Sequence, residues 1–150
     1  MKYDLEKILP HNYPMILIDD IEEVNIKEEY ILTNVTIRED NVFFEKELNG
    51  VSYLLGIEFM AQSIAAYTHF RNHNVTPKIG FLLGTRSYKC SVDKFENGRK
   101  YLIKAKEIFC DNELVSFECL IYNSGVECAK ATINAYQPQD AQQYLNSIGV

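Results

Sequence analysis

Residues 51–70 read VSYLLGIEFMAQSIAAYTHF, and Glu58 is the only formal charge among them. Ser52 is placed to cap a helix, and a Leu-, Ile-, Met- and Ala-rich interior follows, so the pattern predicts one long helix over this stretch. A run of this length could cross a bilayer. Glu58, Gln62, Ser63 and Thr68 stand in its way, since a central acid alone costs about 2.5–3.5 kcal/mol on insertion scales. Burial in a protein core is the cheaper arrangement. A helix that is apolar nearly all the way round must then be wrapped by other elements.

The flanking sequence supplies the wrapping. Downstream, residues 78–89, 101–109, 114–122 and 127–136 are β-type segments separated by short polar turns at 95–98, 111–113 and 123–125, the pattern of an antiparallel meander. Upstream, residues 15–18, 21–26 and 30–37 read as extended, the last through an Ile/Thr/Val/Thr run. A short helix is expected at 4–9, stopped by Pro10, and another at 140–147. The expected class is α+β, an antiparallel sheet of five or six strands wrapped around one long central helix. No repeat, low-complexity tract or Pro/Gly/Ser-rich linker divides residues 1–150, so a single domain is expected.

At 150 residues, 47% of them hydrophobic and 24% charged, the chain can bury an ordinary core. Its net charge of −6 disfavours nucleic acid and anionic membranes as partners. The opening MKYDLEKILPHNYP carries acids and no apolar run ahead of a small-residue cleavage site, which predicts a cytoplasmic protein. Cys90, Cys110, Cys119 and Cys128 form no CxxC pair and meet no histidine at ligand spacing, so reduced, strand-borne thiols and no metal site are expected. Charge is uneven along the chain: residues 1–50 hold 12 acids and 5 bases, residues 71–106 hold 9 bases and 2 acids. That basic flank reads either as solvated strand faces or as a docking surface for an acidic partner.

Glu58 is the sharpest chemical signal. A carboxyl flanked by Ile57, Phe59 and Met60 on an apolar helix is expected to be desolvated and drawn toward the range useful for acid/base work, unless it reaches solvent or pairs with a base such as Arg71. It also lies near the helix N-terminus, whose dipole favours an anion. Gln62 follows one turn later on the same face, where it could bond the neighbouring backbone or orient Glu58. Gly56 reads either as a gap for a ligand or as an aid to tight packing. His11, between Pro10 and Pro14, is a second candidate, catalytic or structural. His69 and His73 sit at i, i+4 with no third ligand in view, and neither a phosphate loop nor a nucleophile elbow occurs.

These residues carry a resemblance. ILPHNYPMILIDDI and GIEFMAQSIAA are similar to the opening motif and the acid-bearing central helix of the bacterial β-hydroxyacyl-acyl carrier protein dehydratases of the hot-dog fold. The stretch from Phe81 through Gly84 to Gly98 resembles their strand, loop and turn, and the likeness covers residues 5–136. More narrowly, VSYLLGIEFMAQSIAAY, KIGFLLGTRSY and NAYQP resemble the predicted dehydratase subgroup found with aryl polyene biosynthesis. The resemblance implies that Glu58 is the catalytic acid, that Gln62 is the motif glutamine, and that Gly56, Gln62, Phe81 and Gly84 line the substrate. It implies no metal and no redox cofactor. In that family a loop histidine takes the α-proton, acid and histidine come from different subunits, and amides at the helix N-terminus polarise the thioester carbonyl.

Here the sequence departs from the pattern. Between Phe44 and Glu58 stands EKELNGVSYLLGI, short and without histidine. Either His11 is recruited as base or the chain supplies only an acid. The expected function is dehydration of 3-hydroxyacyl thioesters on acyl carrier protein, as a homodimer or as a heterodimer with a histidine-bearing hot-dog paralogue. A non-catalytic partner subunit and an acyl thioesterase of the same fold are the rivals.

Overall fold

The computed structural model describes residues 3–72, 82–111 and 114–136. After a single helical turn, α1 (Leu5–Ile8), the chain forms β1 (Asp20–Asn25), β2 (Tyr30–Thr36) and β3 (Gly50–Ser52). A 3₁₀ turn (Tyr53–Leu55) leads into the long helix α2 (Gly56–Arg71). The remaining elements are β4 (Leu82–Cys90), β5 (Lys94–Glu96), β6 (Lys100–Asp111), β7 (Leu114–Asn123) and β8 (Val126–Tyr136). Six strands make one antiparallel sheet in the order β1, β2, β6, β7, β8, β4, while β3 and β5 pair separately.

Alternation of side chains sets the layers. Buried Ile31, Thr33 and Val35 on β2, Ile103 and Ala105 on β6, Phe117, Cys119 and Ile121 on β7, and Ala129, Ala131 and Ile133 on β8 all face the core. Against them lie Phe59, Met60, Ile64, Ala66 and Tyr67 of α2, each fully buried. Burying a side chain of this size contributes about 1.5–3 kcal/mol. Polar groups within the layer are matched: Ser63 Oγ donates to the Phe59 carbonyl at 2.9 Å and lies 2.7 Å from Thr33 Oγ1, which keys α2 onto β2. This is the hot-dog arrangement, a curved antiparallel sheet around a central helix.

Two local expectations are corrected. The helix begins at Gly56 rather than Val51, because Gly50–Ser52 is drawn into pairing with β5 and Ser52 Oγ accepts from Leu54 N at 3.2 Å, capping the 3₁₀ turn. Phe95, placed in a turn by the sequence pattern, is fully buried on β5, its ring 5.6 Å from that of Phe59 and 5.0 Å from that of Tyr101. All four cysteines are free thiols on strands. The expected helix at 140–147 lies outside the described residues, as does His73. No helix among the described residues is long and apolar enough to cross a membrane.

Candidate active site

The site forms where the segment before β1 crosses α2. Pro10 and Pro14 deny that segment two ladder donors, and it runs as a strap whose backbone is satisfied elsewhere. Met15 N donates to the Asn12 carbonyl at 2.8 Å, closing a turn just after His11. Gln62, 1% exposed on α2, meets the rest: its Oε1 accepts from Leu17 N at 2.9 Å and Ile18 N at 3.4 Å, and its Nε2 donates to the Met15 carbonyl at 2.8 Å. Ile16, Leu17 and Ile18 are buried, so the strap is clamped by apolar contact as well.

The strap sets His11 over Glu58. His11 Nε2 lies 3.4 Å from Glu58 Oε1, and the same oxygen accepts from Gln62 Nε2 at 3.3 Å. The two side chains are 29% and 40% exposed, so they are reachable from solvent. Glu58 was expected to be desolvated; it instead stands at the mouth of the site, and named partners rather than burial set its environment. Its place in the first turn of α2 adds the positive end of the helix dipole. His11 Nδ1 is buried with no hydrogen-bond partner among the described residues. A half-exposed imidazole touching a half-exposed carboxyl can move one proton to a ligand and take another from it. Next to the first turn of α2, Phe43, Phe44, Leu54 and Leu55 line an apolar cavity of about 460 Å³ where the sequence lacks the expected histidine loop.

The family model of the ApeP-like dehydratases matches residues 3–146. The chain belongs to the ApeP-like dehydratase family. It is 30% identical over 137 residues to the 3-hydroxyacyl-[acyl-carrier-protein] dehydratase FabZ of Bartonella henselae, covering 88% of each chain. To the FabZ of Protochlamydia amoebophila it is 34% identical over 87 residues, 55% of this chain and 54% of that one, so it spans about half the length of that curated relative. Among solved structures, "The Dehydratase Heterocomplex ApeI:P from Xenorhabdus doucetiae" superposes with a TM-score of 0.86 at 24% identity over 100% of both chains, a likeness of fold.

For an ApeP-like chain the residues singled out from sequence fall into separate places. His11, Glu58 and Gln62 come together. Gly56 does not open a gap for a ligand: a Cβ there would stand 2.2 Å from Tyr88 Oη and 3.1 Å from Ile121 Cδ1 and Phe95 Cζ. Its amide is also taken, donating to the Tyr53 carbonyl within the 3₁₀ turn. Gly56 is a packing residue. Gly84 lies exposed on the outer strand β4, opposite Asn134, with open space where a Cβ would be, and Phe81 falls outside the described residues. In the basic flank, Arg71 pairs with Glu107, Lys94 Nζ donates to the Leu48 carbonyl, Arg99 pairs with Glu96 and Lys100 with Glu22. Arg86 and Lys89 remain exposed.

The strap backbone at Met15, Leu17 and Ile18, and Tyr88 beneath Gly56, carry the site without having been singled out. A signal for the first was present: a glutamine on an apolar helix face needs partners, and the prolines beside His11 leave unladdered backbone to provide them.

Proposed function

We propose that this chain removes water across C2–C3 of a 3-hydroxyacyl thioester held on acyl carrier protein, giving the trans-2-enoyl thioester, in fatty-acid-like or aryl polyene polyketide synthesis in the cytoplasm. The 3.4 Å contact between His11 and Glu58 within one chain carries the reading. His11 Nε2 takes the proton from C2, the C3–O bond breaks, and the hydroxyl leaves as water with the proton of Glu58. His11 is then protonated and Glu58 ionised, and one proton passed between them restores the start. This assigns the base to the strap, in place of the absent loop histidine, and the apolar cavity beside the first turn of α2 to the acyl chain. Exposed Arg86 and Lys89 are assigned to the acidic carrier protein.

A second hot-dog chain as partner is supported by β4, which among the described residues pairs only with β8. Its residues Gly84, Thr85, Arg86 and Ser87 are exposed whichever way they point, and the Xenorhabdus relative is itself a heterocomplex. On this reading the partner extends the sheet and need not supply the base.

The test is turnover of a 3-hydroxyacyl thioester by the purified chain, alone and mixed with a histidine-bearing hot-dog paralogue. Glu58→Gln, which keeps shape and removes the titratable proton, should abolish dehydration while leaving the fold intact. His11→Ala should lower the rate by roughly two to four powers of ten, the usual worth of a positioned base. A His11→Ala protein, alone or in the mixed complex, that turns over near the wild-type rate sinks the assignment of the base. Release of free thiol in place of enoyl product would make the chain a thioesterase.

A further inference from the structure

The sheet ends on two strands of unlike character, β1 and β4. Among the described residues β1 pairs only with β2, and its edge is guarded. A bulge falls between Ile21 and Glu23, and Tyr3 N donates to Asp20 Oδ1 at 3.2 Å. The other acids of β1 are engaged within the sheet: Glu22 Oε1 lies 3.0 Å from Lys100 Nζ and accepts from Asn34 Nδ2 at 2.8 Å, and Glu23 Oε2 accepts from Tyr30 Oη at 2.8 Å. Bulges and charges on an edge keep it from pairing with other chains.

On β4 the charges have no such partners. Residues 82–92 read LLGTRSYKCSV, with Arg86 and Lys89 but no acid. Arg86 is the extra residue of a bulge between Thr85 and Ser87, and neither base forms an ion pair among the described residues. Lys89 stands opposite Lys130 of β8. Lys130 lies between buried Ala129 and Ala131, so it points to the outer face of the sheet. Directly opposed side chains share a face, and Lys89 therefore has a like charge on its paired side. The carboxylate nearest Lys130, Glu118 at 3.9 Å, comes from the far side, on β7. Within the sheet, a counter-charge for Lys89 has one place left to come from, the open side of β4.

We propose that β4 is a charge-selective edge: it rejects a second copy of this chain and accepts the strand of an unlike chain that sets carboxylates against Lys89 and Arg86. In any register, parallel or antiparallel, a second β4 brings only uncharged or basic residues opposite these two. Like charges opposed across strands repel and unlike charges attract. The β1 strand of another copy does not serve, because its acids are held within its own sheet. The proposal rests on the reading above that a partner extends the sheet at β4, and it says what that partner must carry. Lys89 and Lys130 stay on the outer face once the edge is paired, where a carrier protein can still meet them.

Mixing the full chain with its Arg86→Glu/Lys89→Glu variant isolates the charge, since the two differ only at these exposed positions and the measurement needs neither carrier protein nor substrate. Sedimentation at low salt should show wild type and variant each associating weakly alone, and the mixture forming a mixed dimer about tenfold tighter, the sum of a few cross-strand charge pairs. Added salt should narrow that gap. A wild type that self-associates as tightly as the mixture, in closed dimers or in open-ended chains, overturns the proposal, as does a mixture no tighter than its components. If the double reversal does not fold, Arg86→Gln/Lys89→Gln decides. Relieved of repulsion, that variant should self-associate more tightly than the wild type at low salt, and an unchanged constant overturns the proposal. The partner reading fails separately, through a wild type that does not bind a histidine-bearing hot-dog paralogue.

Discussion

Gly56→Ala tests the packing on which the site end of α2 rests. The added methyl would meet Tyr88 Oη at 2.2 Å, so the phenol must move, and the hydrogen bond it donates to the Tyr53 carbonyl at 2.5 Å is lost. Tyr88 has little freedom to give way: its ring is stacked on Tyr53 with centroids 6.4 Å apart and planes within 7°, and burial pushes its hydroxyl well above the usual tyrosine pKa. Overpacking of this kind costs about 1–3 kcal/mol. Loss of that partly exposed hydrogen bond adds about 0.5–1.5 kcal/mol, while alanine in a helix returns at most about 1 kcal/mol. The net expectation is about 2 kcal/mol of destabilisation. For a chain of 150 residues that is roughly 4–8 °C in Tm. Urea and thermal unfolding measure it, and the double variant Gly56→Ala/Tyr88→Phe supplies the internal check. Removing the hydroxyl vacates the space the methyl needs, so the pair should be more stable than the sum of the single changes predicts, by about 1 kcal/mol. An alanine variant as stable as the wild type, or a strictly additive pair, would refute the argument.

Two further predictions concern charge. Glu107 on β6 is 7% exposed, with its carboxyl raised above the ordinary value of 4.5 first by burial and then by a hydrogen bond that its protonated form donates to the Glu29 carboxyl, while Arg71 Nε stands 2.9 Å from it. A folded-state pKa raised in this way gives stability that is present below 4.5 and lost as pH rises through the folded value. Glu107→Gln should therefore gain on the wild type as pH climbs from the carboxyl range toward neutrality, and parallel stability–pH curves would contradict it. Reversing Arg86 and Lys89 to glutamate should weaken binding to an acidic carrier protein by about tenfold at low salt, with the difference shrinking as salt is added. Binding measured by calorimetry at two salt concentrations, if indifferent to both changes, removes that surface from consideration. Lys94 is left out of the reversal because its ammonium is bonded to the Leu48 carbonyl.

How far the sequence could be read depends on whether local pattern or tertiary pairing decided each element. The helix and the four long strands were legible because their periodicities are sustained over many residues, and Glu58 and Gln62 stood out as polar groups on an apolar face. The first turn of the expected helix failed for a tertiary reason: pairing of Gly50–Ser52 with Lys94–Glu96 joins segments far apart in the chain. The same pairing turns Phe95 from a turn residue into core. Gly56 was open to two readings because a missing side chain looks alike beside a ligand and beside Tyr88. His11 was equally undecidable, since the prolines and Gln62 mark groups in need of partners without showing that they meet each other; Gln62 makes that crossing, through bonds spanning 44 to 47 positions.

Dehydration demands that base and acid hold opposite proton states at once, an imidazole without its extra proton beside a carboxyl that has one. On the proposed reading, the 3.4 Å between His11 Nε2 and Glu58 Oε1 gives the proton a direct return path from base to acid. The fold provides that contact through elements of different origin, since Glu58 is fixed by a helix the core cannot do without and His11 by a strap held by Gln62 and three buried apolar residues. On that reading a chain without the loop histidine still holds both groups in contact, provided the strap stays seated.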